Sequence, residues 1–401
     1  MFHSVEQSPG DPILSLVEDF KRDKRAEKVN LSIGLYYDEA GQVPQLACIR
    51  KAYERLANTW DKPELYLPME GLASYRQAVQ HMLFGEESEA VKAGRIATVQ
   101  TLGGSGALKI GADFLHRYFP KADLWVSRPT WENHIAIFAG AGFTTHEYPY
   151  FDPKTGGVDF EAMCACIRQI PAGDVVLLHP CCHNPTGADL SEAQWDALIP
   201  LLKERRLIPF LDLAYQGLGS TLEADVYTAR AMVKAGMTFL LSNSFSKVFS
   251  LYGDRIGALS VVCQDKETAE RVLSQLKVTV RRNYSSPPVR GAQLVNIVLN
   301  DKELAHLWRE EVAAMGARIR TMRQSLHTQL STRLPGQDFQ YLLAQRGMFS
   351  MMKLTPAQAD RLREEYGVYI LRSGRVCMAG LNEQNLPPVV NALAAVLSTS
   401  A

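Results

Sequence analysis

Short apolar runs alternate with amphipathic helical segments through the middle of the chain, and that alternation restricts the fold more than any other feature. The runs lie at 124–126, 175–178, 208–211, 239–241 and 258–262. They are too short for buried helices, and most are continuously apolar, as strands covered on both faces are. Between them lie helical segments such as 191–205, where Trp195, Leu198, Leu201 and Leu202 share one face. The pattern predicts an α/β chain whose large domain is a mostly parallel, doubly wound sheet. A long helix or helix pair over 302–330 follows. Leu304, Leu307, Val312, Met315, Ile319, Met322 and Leu326 form its apolar stripe, and it reads as the connector between domains. The rhythm then changes. Residues 348–354 and 367–371 read as strands around a helix that Thr355 and Pro356 open and that runs to about Tyr366, which makes a smaller α+β domain. At the other end Asp11 and Pro12 open a helix to about Arg22. The expected division is an arm over 1–12, a small domain of 13–44 with 316–401, and a large cofactor-binding domain over 45–315.

The 401 residues, 46% hydrophobic and 21% charged, can bury a large core and suit two domains. The formal net charge is zero and no basic stripe is visible, so no nucleic-acid partner is expected. No apolar stretch is long enough to span a bilayer, and no membrane association is expected. The N-terminus carries Glu6 and Asp11 without a long apolar run, unlike a signal peptide. Seven cysteines, an odd number in a long chain, fit a reduced cytoplasmic protein better than a disulfide framework.

Ligands of doubly wound sheets bind beyond the carboxyl ends of the strands. The polar residues that follow the apolar runs therefore matter most. The run 208–211 delivers Asp212 and then Tyr215. The run 175–178 delivers His179 and then Asn184-Pro185-Thr186-Gly187. The run 124–126 leads to Trp131 and His134, and 239–241 leads through Ser242, Ser244 and Ser246 to Lys247, with Arg255 eight residues on. A lysine among small hydroxyl residues at a strand end is placed to be an amine nucleophile, although such a lysine is more often simply solvated. Residues 98–102 run into Gly103-Gly104-Ser105-Gly106 and a helix starting near Ala107, the outline of an anion site at a helix N-terminus. Lys109 breaks the dinucleotide fingerprint, and the ending of a Walker loop is absent. Asp212 needs a cationic partner or caps the next helix. Trp131 could stack on a flat ring or simply pack. Arg375, at a strand start, could clamp a carboxylate, and Arg281-Arg282 sits on a proline-ended loop; either could equally be solvated. His179, Cys181, Cys182 and His183 are badly spaced for tetrahedral metal binding and read as packing and hydrogen-bonding residues, with no metal expected. Cys164 and Cys166 read as helix filler.

In combination and in order, these segments resemble the class I aminotransferases that use pyridoxal 5'-phosphate, in the aspartate aminotransferase group. The resemblance spans nearly the whole chain. It rests on Asn184-Pro185-Thr186-Gly187, the Asp212 and Tyr215 pair, and the run from Ser244 to Arg255. Stretches 31–37, 100–107, 179–187 and 242–252 look most like the bacterial aromatic-amino-acid (tyrosine) branch. The resemblance implies that Lys247 is the Schiff-base lysine and proton carrier. Asp212 would partner the pyridine nitrogen, with His134 behind it, and Tyr215 and Asn184 would meet the ring hydroxyl. Trp131 would stack on the ring. Gly104, Ser105, Ser244 and Arg255 would bind the phosphate, helped by Tyr66 of a neighbouring subunit. Arg375 would clamp the substrate α-carboxylate beneath the Gly34 region. Arg281, again from the neighbour, would meet a distal carboxylate. A homodimer with composite sites, acting on amino acids and 2-oxo acids, is thereby implied.

One departure bears on specificity. The aspartate branch usually carries serine where Gly103 stands and threonine where Ser105 stands, so one side-chain donor near the phosphate is lost here and the aromatic branch is favoured. The rivals are a dedicated aspartate aminotransferase, a lyase or decarboxylase with the same cofactor, and a non-enzymatic member of the fold. Two carboxylate clamps, Arg375 and Arg281, weigh against the lyase, and Lys247, Asp212 and Arg375 together weigh against the non-enzyme.

Overall fold

The apolar runs become the middle of a seven-stranded sheet in the computed structural model, which describes residues 2–7, 10, 12–58 and 63–398. The strand order is Ile96–Leu102, Ile256–Val262, Phe239–Ser244, Ile208–Leu213, Val175–Leu178, Leu124–Arg128 and Thr145–Pro149. All run parallel except Ile256–Val262, which is antiparallel to both of its neighbours. Alternate side chains enter two cores. Val176, Leu178, Leu211, Leu213 and Leu241 face one, and Val175, Leu177, Phe210, Leu240 and Leu259 face the other. Both faces are therefore covered, which is why these strands read as continuous apolar runs.

Several boundaries differ from expectation, each for a local reason. The Phe239–Ser244 strand runs past Leu241 because Ser242, Asn243 and Ser244 keep their ladder pairing with Leu259, Ala258 and Gly257. The helix expected near Ala107 begins at Gly103, since the first turn of a helix tolerates residues that would weaken its interior. The Thr145–Pro149 edge strand carries His146 and Glu147 and so shows no apolar run. Gly367 has φ +68° and caps the Pro356–Tyr366 helix, so the following strand is only Val368–Tyr369. Its partner is Val29–Asn30. The strand at 348–354 shortens to Phe349–Met351, paired antiparallel with Arg375–Cys377. Arg281 and Arg282 are not on a loop but in the last turn of the Lys266–Asn283 helix.

Lys302–Arg333 is a single helix, and Leu304, Val312, Met315, Ile319, Met322 and Leu326 are buried along it. Trp308 on this helix is buried, stacks on Phe249 at 4.6 Å and donates from Nε1 to the Val248 carbonyl at 2.8 Å. It thus pins the turn just after Lys247, and truncating it would cost roughly 3–5 kcal/mol. The first helix is Pro12–Arg22. Asp11, expected to open it, lies outside the described residues, as do residues 1, 8 and 9 of the expected arm.

Candidate active site

The carboxyl ends of the parallel strands open into a cavity of about 360 Å³. Gly34, Gly104, Ser105, Trp131, Asn184, Asp212, Tyr215, Ser244, Lys247, Arg255 and Arg375 all line it. Asp212 is the one carboxylate of that lining, against three strong bases.

Asp212 projects from the Ile208–Leu213 strand and is buried. Behind it, fully buried His134 places Nε2 2.8 Å from Oδ2. An ionised carboxylate can only accept, so Nε2 carries the proton and Nδ1 accepts from the Thr130 hydroxyl at 2.9 Å. Burial pushes the Asp212 carboxyl up. The His134 hydrogen bond and the positive charge of Lys247 outweigh burial, so it sits below its ordinary value. Ser242 donates to Asp212 Oδ1 at 3.2 Å and ties it to the Gly104 carbonyl, 3.3 Å from the same hydroxyl.

Lys247 lies three residues beyond the Phe239–Ser244 strand. Its Nζ is 4.9 Å from the Tyr215 ring centre. Burial, joined by the charges of Arg255 and Arg375, pulls the amine down to about 8 despite Asp212. A larger neutral fraction follows, and only the neutral amine is a nucleophile. Burial also pushes the Tyr215 phenol up, which keeps its proton on at neutral pH.

One end of the cavity is an anion cradle. Ser105, Ser244, Ser246 and Arg255 meet there over the start of the Gly103–Tyr118 helix. Arg255 Nη1 donates to the Tyr252 carbonyl at 3.0 Å and approaches Ser246 Oγ at 3.5 Å. Gly103 has φ +66°, a conformation that suits glycine, and a Cβ there would fall 2.8 Å from Arg255 Nη2, so a side chain at this position would shift the guanidinium. Hydroxyls, a guanidinium and helix N–H groups without an acid make a phosphate-type donor set. A flat cationic ring suits the opposite end, where Asp212 lies and Trp131 forms a partly buried wall set edge-on to His134 at 5.2 Å. A pyridoxal phosphate therefore fits the donors present.

Arg375 is buried at the start of its strand. It donates to Asn184 Oδ1 at 3.1 Å and to the Ser32 carbonyl at 2.6 Å, and lies 4.3 Å from the Phe349 ring centre. Gly34 sits against the same ring; a Cβ there would be 2.8 Å from Phe349 Cζ. Two expected residues stay outside. Tyr66 is 95% exposed, and Arg281 is exposed on its helix and donates to Ser285 Oγ.

The cavity also has walls that sequence reasoning missed. Phe349, Ile13 and Leu14 line it, the last two from the first helix. So does His179, which was expected to pack and hydrogen-bond. Burial and neighbouring His134 pull its imidazole down to about 3, and its Nε2 has no partner among the described residues. Its position right after the Val175–Leu178 strand, like that of Asp212 on its own strand, was the available signal. The run from His179 to His183 does not converge on one point. His179 turns to His134 and Asp212, Cys181 and Cys182 turn to Asp225, and His183 stacks on Tyr150 at 4.1 Å.

Residues 26–393 match the family model described as aminotransferase class I and II. The chain is 59% identical to a tyrosine aminotransferase of Klebsiella pneumoniae, over 99% of this chain and all of that one. It is 46% identical to an aspartate aminotransferase of Pseudomonas aeruginosa over the same shares. A crystal structure of an aromatic-amino-acid aminotransferase from Burkholderia pseudomallei, covalently bound to pyridoxal phosphate, superimposes with a TM-score of 0.97. It is 49% identical and covers 99% of this chain and all of that one.

Proposed function

We propose that this chain, which belongs to the class I and II aminotransferases, moves the amino group of tyrosine or phenylalanine to 2-oxoglutarate with pyridoxal 5'-phosphate, and accepts aspartate as well. The observation that carries the reading is the convergence of Lys247, Asp212, Arg255 and Arg375 on one cavity from three separate parts of the chain. Bound there, the cofactor supplies an electron-withdrawing ring that makes the substrate α-proton removable.

The chain's own groups do the rest. Lys247 offers an amine that is both nucleophile and proton carrier. Asp212, held ionised by His134, would keep a proton on the ring nitrogen. Tyr215 and Asn184 would hold the ring hydroxyl, and Trp131 would stack on the ring. Ser105, Ser244, Arg255 and the Gly104 backbone hold the phosphate. Arg375, already oriented by Asn184 and Ser32, takes the α-carboxylate with the Gly34 segment over it. Tyr66 and Arg281 are exposed and neither lines this chain's own cavity, which supports a homodimer in which each serves the neighbour's site. We also read the chain as two domains, 13–44 with 316–401 and 45–315, and as cytoplasmic. Among the described residues no helix is long and apolar enough to cross a membrane.

The rival within the family is a dedicated aspartate aminotransferase. A panel of kcat/KM values for tyrosine, phenylalanine, leucine and aspartate, with 2-oxoglutarate as acceptor, separates the two. Tyrosine and phenylalanine are expected to match or exceed aspartate. An aspartate value more than about tenfold above both would assign the rival.

A further inference from the structure

Arg323 is a buried cation that the reaction does not touch. It points from the Lys302–Arg333 helix into the segment beneath the cavity and is 3% exposed. Among the described residues no carboxylate lies within ion-pair distance of it. Its bonds all go to residues 342–350. Nη2 donates to the Phe349 carbonyl at 2.5 Å and the Gly347 carbonyl at 2.8 Å. Nη1 donates to Ser350 Oγ and to the Leu342 carbonyl at 3.3 Å. Its Nε has no partner. Burial pulls the guanidinium down to about 10, so it is still charged at neutral pH.

A buried charge that Asp189 offsets only from beyond ion-pair distance is a poor source of stability, and an apolar side chain of similar volume would serve a core as well or better. What the fork does provide is a fixed position for the Phe349 backbone. The other side of that backbone is equally confined. Met351 donates to the Thr186 carbonyl at 3.3 Å and Arg346 to the Gly187 carbonyl at 2.7 Å. At Gly187 any Cβ would fall 2.3 Å from the Phe349 carbonyl oxygen. The Phe349 ring thus arrives at one place, between the Arg375 guanidinium at 4.3 Å, the Tyr215 ring at 5.9 Å and Gly34.

We propose that Arg323 is a positioning residue for substrate carboxylate recognition, acting through Phe349, whose ring face sets the plane and reach of Arg375. The inference rests on the reading of Arg375 as the α-carboxylate clamp. Asn184 and Ser32 each restrain one guanidinium nitrogen, and the ring face adds a restraint on the plane of the fork. A guanidinium that can tilt loses the parallel pair of bonds that a carboxylate needs.

The test is binding of 3-phenylpropionate, which has a carboxylate and a ring but no amino group to react. It is measured by calorimetry on the cofactor-loaded dimer, alongside cofactor dissociation, melting temperature and steady-state kinetics. Arg323→Gln and Phe349→Leu should each weaken binding about tenfold, the scale of losing one desolvated cation–ring contact. In Arg323→Gln, KM for phenylalanine and for 2-oxoglutarate should rise in step, with kcat within about threefold and cofactor dissociation unchanged, whereas Phe349→Leu, whose ring lines the cavity, is read on affinity alone. A role in stability alone would lower the melting temperature of Arg323→Gln and leave the affinity as it was, which overturns the proposal. If Arg323→Gln does not fold, Phe349→Leu decides alone, because it leaves every Arg323 bond in place; wild-type affinity there also overturns it. Arg375→Lys separates the layers. If it binds as wild type, the clamp reading falls and this proposal with it. If it loses binding while the other two do not, only the proposal falls.

Discussion

The floor of the cavity and the outer patch that bears Tyr66 and Arg281 are built by opposite rules. On the floor, Asp212, His134, Tyr215 and Arg375 are buried, and Asp212, His134 and Arg375 are each hydrogen-bonded to a second protein group. Outside, Tyr66 is almost fully exposed and Arg281 holds a single serine hydroxyl. Burial and close charged partners together move the protonation equilibria of Lys247, Asp212 and Tyr215, all of them on the floor. Arg375 is a cation held in place there, whereas Arg281 is an exposed cation bonded to a serine hydroxyl. The floor thus suits the parts that every substrate shares, and the patch suits the part that differs.

The largest effect should come from the floor's amine. Lys247→Ala is expected to lower turnover roughly 10³-fold or more and to remove the visible absorption band of the bound cofactor, because nothing else in the cavity supplies both a nucleophile and a proton carrier. Near-wild-type turnover would move the reactive amine elsewhere and end the contrast. Asp212→Ala should cost roughly 10²–10³-fold in kcat, the scale of losing a preorganised charge, while Lys247 still captures the cofactor. Full activity in that variant would show that the buried carboxylate has no electronic role.

A smaller effect is a pH shift. The amine is nucleophilic only when neutral, so capture of pyridoxal phosphate by apoprotein should speed up as pH rises through the Lys247 value. With that value near 8 rather than 10.5, the midpoint falls near pH 8, where an ordinary lysine would be neutral on the order of a hundredth of the time or less. Rates of capture between pH 6 and 10 check this. A midpoint near 10 would mean that burial and the two arginines do not act on the amine as described.

The floor was also the legible part of the sequence, for a physical reason. Asp212 and Lys247 stand on or just after short apolar strands, and strand ends in an open sheet are where ligands meet the protein. Arg375 was legible as the start of a strand, with Asn184 in a distinctive loop. The contacts that cross the chain were not. Phe349 reads as an ordinary core aromatic, and only the tertiary fold puts its ring on Arg375. Ile13 and Leu14 are far in sequence from every strand of the sheet, yet line the cavity. His179 shares the strand-end signal with Asp212, but the neighbouring Cys181, Cys182 and His183 carry the same packing and hydrogen-bonding pattern, so the sequence does not single it out. Glycines at 103 and 104 hid the true start of their helix, since propensity counts against glycine even in the first turn, where its cost is least.

The smallest effect tests the patch itself. A fixed arginine facing an aromatic side chain would be left desolvated and unpaired, which costs free energy, whereas a dicarboxylate repays it with a charge-assisted bond. Arg281, exposed on the last turn of its helix and held there by the Ser285 hydroxyl, can turn toward one substrate and away from the other. Arg281→Leu should therefore lose about tenfold in kcat/KM for aspartate and 2-oxoglutarate, while half-reactions with phenylalanine hold or improve. Equal losses for phenylalanine and aspartate would remove the idea that the patch reads the variable part of the substrate. A mixed dimer then asks whose cavity the patch serves. Pair a Lys247→Ala chain with an Arg281→Leu chain, so that only one of the two cavities keeps its lysine. If Arg281 acts across the interface, that cavity borrows an intact arginine from the other chain, and dicarboxylate activity appears. If Arg281 acts within its own chain, the same cavity carries the leucine, activity stays low, and the reading of a composite site falls.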